Sequence, residues 1–291
     1  MILQSLLMIT ILVADLNVTE ATYTEQLGYQ VVERGIIGAE CAHQMGDEDF
    51  TNRSYLTLRP PEDEPQVVLR FLTGSDAAYR PMQKPGWNAV EILVKDPEKL
   101  ITKLDENLFR LIGPPAYLTS AENILAAQVL GPSGEVLYFT HMKEPELSLL
   151  KPKPAINPVG GTFIMVMGVQ DLEETNNFVN SNFKHRLVGP FPFKIDILAK
   201  YRGDDPETRY PIMMMKMSGP FGFEFDEYAS EVEISDASGG IELVSVSADT
   251  LAGEYDWSQH PKESKCSGLS GYSGMLEFPS GANLQVLAPI K

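Results

Sequence analysis

Four times in this chain an apolar stretch closes on aspartate: MITILVAD at 8–15, AVEILVKD at 89–96, IMVMGVQD at 164–171 and ELVSVSAD at 242–249. Short apolar runs of this kind read as buried strands, and the segments after the first three read as helices. After the first, Asn17 is placed to cap a helix, with Glu20 three residues on and Gly28 just past its end. After the second, Pro97 suits the opening turn of a helix over 97–109. The third leads into a helix over 172–183, and a shorter one is expected after the fourth.

Further strands are expected over 66–73, 123–129, 135–141, 210–217 and 284–287. Two of them leave nearly the same turn, Gly-Pro-Ser-Gly at 131–134 and Phe-Pro-Ser-Gly at 278–281, with proline and glycine where a β-turn wants them. The chain is therefore read as α+β, built from four βαβββ units that pair into two barrel-like cups. The concave side of a cup is lined by every second strand residue, and concavities are where small ligands bind. The stretch EPELSLLKPKPAINPV at 144–159 carries four prolines and reads as a connector. It divides the chain into an N-terminal domain of two units (1–143) and a C-terminal domain of two units (160–291).

Net charge sets the partners. The sequence holds 40 acidic and 23 basic residues, a formal charge of −17, which repels phosphate backbones and anionic membranes. Neither nucleic acid nor a membrane is expected as a partner; a small-molecule ligand is. The N-terminal apolar run lacks a basic flank and a small-residue cleavage site, and is too short to span a bilayer. It reads as a buried strand, and the cytoplasm as the location. Cys41 and Cys266 stand far apart with no zinc spacing, and sequence gives no ground for a disulfide.

Asp15-Leu16 with Leu27-Gly28-Tyr29, Asp171-Leu172 and the two Pro-Ser-Gly turns together resemble the vicinal oxygen chelate superfamily of glyoxalases, bleomycin-resistance proteins and extradiol dioxygenases. The four-unit length is most similar to its two-domain dioxygenases. The resemblance implies a divalent iron, manganese or zinc ion held by His, Glu or Gln. Its ligand positions fall on Met8, Ala89, Ile164 (or Thr162) and Glu242, and after the turns on Tyr138 and Gln285. Thioether, methyl and aliphatic groups cannot replace the oxygen and nitrogen donors such ions need. No metal ligand is assigned, and no cofactor is expected. None of the four histidines stands at a family ligand position.

These residues point to metal-independent proton transfer, of lyase or isomerase type, on a small apolar or aromatic molecule. Glu242 would be the base and Tyr138 the acid or hydrogen-bond donor, with His141 near the rim. For His141 the favoured reading is surface, since alternation sets it opposite Tyr138, and Glu91 poses the same inward-or-outward choice as Glu242. Substrate contacts are assigned to Met8, Arg70, Gln285 and a soft wall of Met213, Met215, Met217, Phe223 and Phe225. That wall would equally serve as core or as the contact of a homodimer. The alternatives are a non-catalytic small-molecule binder and a dioxygenase with relocated ligands.

Overall fold

The first recurrence forms β1 (Leu3–Val13) and passes directly into α1 (Leu16–Leu27). The cap is Asp15 rather than Asn17: its carboxylate accepts from the backbone N–H of Asn17 at 2.7 Å and of Val18 at 3.2 Å. The strand-ending aspartate thus supplies orphan helix donors with an acceptor, and Asp96 and Asp171 do the same for α3 (Pro97–Ile101) and α4 (Leu172–Asn182). Gly28 closes α1 at φ +75°, a conformation glycine reaches without strain.

Helix α3 stops well short of residue 109. Asp105 turns its carboxylate on the Asn107 N–H at 2.9 Å and its carbonyl on Leu108 and Phe109, a local competitor to helix. Among the described residues no helix comes after the fourth recurrence; residues 249–256 run as a loop through Gly253 at φ +147°.

The computed structural model describes residues 1–119, 121–228 and 237–288. The first unit continues with β2 (Gln30–Ile36), α2 (Ala39–Gln44), β3 (Ser54–Arg59) and β4 (Val68–Thr73). The second is β5 (Gly86–Val94), α3, β6 (Arg110–Tyr117), β7 (Ile124–Leu130) and β8 (Val136–Met142). The third is β9 (Val159–Val169), α4, β10 (Leu187–Phe193), α5 (Asp196–Arg202), β11 (Tyr210–Lys216) and β12 (Gly222–Glu227). The fourth has strands alone: β13 (Gly240–Ala248), β14 (Trp257–Glu263), β15 (Tyr272–Glu277) and β16 (Asn283–Ala288).

Each half does not close its own cup. One eight-stranded sheet has the order β14-β15-β16-β13-β1-β4-β3-β2, joining the fourth unit to the first. The other runs β10-β11-β12-β9-β5-β8-β7-β6 and joins the third to the second. The seams are antiparallel, β1 against β13 and β5 against β9. We refer to these as the outer-unit and inner-unit sheets.

One large core fills the space between the backs of the two sheets, with Tyr23 of α1 and Val179 of α4 packed into it. Here lie Met215, Met217, Phe223 and Phe225, with Met213 packed against them. Trp87 meets Phe223 at 5.0 Å between ring centroids. The Met/Phe wall is therefore core, not a substrate bed. Its side chains share one face of β11 and β12, and that face turns away from the cup. Each concave face carries its own smaller core, one under α5 and one under α2.

Cys41 of α2 and Cys266 are joined in a disulfide across 225 residues, a pairing between units one and four. Such bonds persist in oxidising compartments, which sits awkwardly with the cytoplasmic expectation. Among the described residues no helix is long and apolar enough to cross a membrane.

Candidate active site

Strand alternation decides which side chains face the cup of the inner-unit sheet. On β12, Phe223 and Phe225 go to the central core, so Glu224 and Asp226 go to the concave side. On β8, Leu137 and Phe139 go to the core, leaving Tyr138 and Thr140 inside the cup. On β5, Ala89, Glu91 and Leu93 alternate with Val90 and Ile92 in the same way. Glu91 and Tyr138 are register partners on neighbouring strands.

Three carboxyls and a phenol thus gather on one floor. Glu91 is 5% exposed, Tyr138 6% and Asp226 1%; Glu224 is half-buried. The Thr140 hydroxyl donates to Glu91 Oε1 at 2.5 Å. Glu224 and Asp226 stand within hydrogen-bond reach of each other. The hydroxyl of Tyr138 and Oδ1 of Asp226 have no protein partner.

Burial, then the charge of Glu224, pushes the Glu91 carboxyl up to about 8, against the hydrogen bond from Thr140. Burial and the neighbouring Asp226 raise Glu224 well above the carboxylate range; burial also raises Asp226, with Glu91 adding to it. Like charges this close cannot all ionise, so the group retains protons at neutral pH. The Tyr138 phenol is raised by burial and by Asp226, Glu224 and Glu91 in turn, and stays protonated. Of these groups Glu91, at about 8, and Asp226, at about 7, exchange protons near neutrality.

Helix α5 and the residue before it bring Ile195, Ile197, Leu198 and Ala199 over the floor, and Ile197 N–H donates to Gln128 Oε1 at 3.1 Å. At the edge strands β6 and β10 a pocket of about 380 Å³ is lined by Tyr117, Gln128, Phe193, Asp196 and Arg209 among others, and Glu91, Tyr138, Glu224 and Asp226 are not part of its lining.

The proposed base and acid do not meet. Glu242 falls at a register shift of β13, between Ile241, which turns to the central core, and Leu243, which belongs to the outer-unit cup. Its carboxyl lines a separate pocket of about 270 Å³ with Tyr79, Lys84, Trp87, Asn88 and Asn283. Burial and Asp47 raise it to about 7 against the pull of Lys84. Tyr138 lies in the other sheet. His141 is half-buried with Nδ1 3.4 Å from the Val94 carbonyl, away from the floor. Met8, Arg70 and Gln285 do share one cup, that of the outer-unit sheet: Met8 belongs to its apolar lining, and the strand register sets the other two on the same face. Sequence reasoning missed Glu224 and Asp226, although GFEFDE carried the signal.

Among the described residues no three His, Cys, Asp or Glu side chains are arranged to hold a metal ion. In the outer-unit cup the Arg70 guanidinium would repel a cation, so no step is derived through a metal.

No family model matches the chain, and no curated protein matches it. Solved structures do. Glyoxalase I from Zea mays superposes with TM-score 0.61 at 14% identity, over 97% of this chain and 91% of that one. A putative dioxygenase from Bacillus subtilis gives TM-score 0.61 at 10% identity, over 98% and 85%. The chain has the vicinal oxygen chelate fold.

Proposed function

We propose that this protein binds a small, neutral, largely apolar organic molecule in the inner-unit cup and moves a proton on it without a metal, as lyases and isomerases do. The observation that carries this is the convergence of Glu91, Tyr138, Glu224 and Asp226 on one concave floor. The Glu224–Asp226 pair shares one proton: the partly accessible Glu224 receives the proton from a carbon beside a carbonyl as it passes its own to Asp226, the member that ionises near neutrality. Tyr138, whose hydroxyl has no partner in the protein, donates to the oxygen where negative charge develops. Glu91 stays protonated and keeps that floor from becoming fully anionic. A neutral substrate fits, because a substrate carboxylate would add to the repulsion already present.

The test is deuterium wash-in. A panel of neutral ketones, aldehydes and esters is incubated with the protein in D2O and tracked by proton NMR. Wild type is expected to exchange the proton beside the carbonyl in at least one compound. Glu224→Gln and Tyr138→Phe are each expected to slow it at least tenfold. Exchange at equal rates in all three proteins sinks the assignment; binding without exchange would make the protein a sequestering one.

A further inference from the structure

The outer-unit cup differs in chemistry. We infer that it is a receptor for a small organic carboxylate, with Arg70 as its anchor. Arg70 on β4 is 1% exposed. Its guanidinium lies 5.1 Å from the centre of the Tyr55 ring, and one Nη donates to the carbonyl of Ser267. It forms no ion pair with any described residue, and its Nε has no hydrogen-bond partner.

The residues beside it continue the pattern. Thr10 on β1 and Thr57 on β3 flank Arg70 in uninterrupted register, so all three point the same way. Both hydroxyls are buried and without a partner. Gln285 lies on the same concave face; its carbonyl accepts from Ser245 at 2.8 Å, and its Nε2 donor is left over. The unpartnered atoms of this floor are thus a guanidinium N–H, an amide N–H and two hydroxyls, every one able to donate. A buried cation without an anion is costly. The nearest carboxylate, Glu33, sits one strand further out opposite Thr57 and accepts from the Ser267 hydroxyl at 2.7 Å. It does not reach ion-pair distance of Arg70.

The chemistry narrows the occupant. One guanidinium with neutral donors matches a single negative charge on planar oxygens. Met8, Leu12, Leu243, Leu269 and Met275 line the same cup and match an apolar body attached to that carboxylate. A multiply charged phosphate would leave charge uncompensated in a chain that carries −17 overall. Helix α2 and the loop over 264–271 form the cover, fastened to each other by Cys41–Cys266. Gly268 packs directly against Met8 and Arg70, so this cover must yield for an anion to reach the guanidinium.

The experiment is thermal unfolding with butyrate, benzoate, nitrate or inorganic phosphate at fixed ionic strength. It is run on oxidised protein and on protein reduced with dithiothreitol, so that a fastened cover cannot hide binding. Butyrate or benzoate is expected to raise the wild-type midpoint saturably by several degrees, and phosphate not to. Arg70→Met should abolish that rise while melting at or above the unliganded wild type. Thr10→Val/Thr57→Val serves as a second, shape-preserving variant that keeps Arg70, expected to fold normally and bind at least tenfold more weakly. A rise that survives in Arg70→Met overturns the proposal. So does a phosphate effect equal to that of the carboxylates, or no carboxylate effect in either redox state.

Discussion

Glu91→Gln should make the protein more stable, and increasingly so as pH rises. The folded Glu91 carboxyl titrates at about 8, whereas its ordinary value is 4.5. A carboxyl raised in this way holds its proton in the native state over a range where the unfolded chain has released it. Its stability contribution is complete below pH 4.5, declines through the window from 4.5 to 8, and is lost above it. Each pH step in that window costs about 1.4 kcal/mol, so about 3 kcal/mol has gone by pH 7 and about 5 by pH 8.5. Glutamine keeps the acceptor for the Thr140 hydroxyl and cannot ionise, so the variant escapes the loss. Urea unfolding at pH 5, 6, 7, 8 and 9, wild type against variant, isolates this group from the others that titrate nearby. The two proteins should be nearly equal at pH 5 and should differ by a few kcal/mol at pH 9, with the variant ahead. A difference that stays constant across the series refutes the claim that Glu91 is a buried carboxyl among other carboxyls.

Four other outcomes rest on single contacts. On β12 the two faces should respond oppositely: Phe223→Ala should cost about 3–5 kcal/mol by thermal melting, while Glu224→Gln should cost little and act on proton exchange instead. Glu242→Gln should leave deuterium exchange unchanged, because its pocket belongs to neither cup floor. Glu64 Oε1 accepts the backbone N–H of Ile156 at 2.7 Å and of Asn157 at 2.6 Å. Glu64→Ala should therefore free the connector at a cost of about 2–4 kcal/mol, read as a lower midpoint and earlier proteolysis near 156. Cys41→Ser should lower non-reducing stability by about 2–4 kcal/mol, and dithiothreitol should then have no further effect on the variant.

Local structure was legible because local physics made it. The strand-to-aspartate recurrences at Asp15, Asp96 and Asp171 write a strand end and a helix cap into adjacent residues, and the helices over 16–27 and 172–182 grow from them. The fourth recurrence failed because its aspartate leads into a glycine-broken loop with no apolar helical face to bury. The candidate site was half legible. GFEFDE reads as a strand by its period of two, and within it the large rings of Phe223 and Phe225 stand out first. In a two-faced strand the aromatic residues are the ones that join the larger core. The interrupting acids face the smaller concavity, where a charged group can be tolerated only beside partners. Which units pair was not legible at all. It depends on β1 meeting β13 across more than 200 residues, and no local preference encodes that contact.

That long-range pairing has a chemical consequence. If the units had paired within each half, Arg70 and Tyr138 would have shared one cup, and the carboxyls of β12 would have faced the fourth unit. Joining first to fourth and second to third instead sorts the charges. The outer-unit floor receives a guanidinium and neutral donors; the inner-unit floor receives Glu91, Glu224 and Asp226. A ligand carboxylate is attracted to the first and repelled by the second. The two cups of one chain therefore cannot be alternative sites for one compound. A carboxylate that binds the outer-unit cup should not compete with the neutral compound whose proton the inner-unit cup exchanges. Mixed-inhibitor measurements should find saturating butyrate or benzoate leaving the apparent affinity for that compound unchanged. Direct competition between them would mean that the floors are not chemically separate.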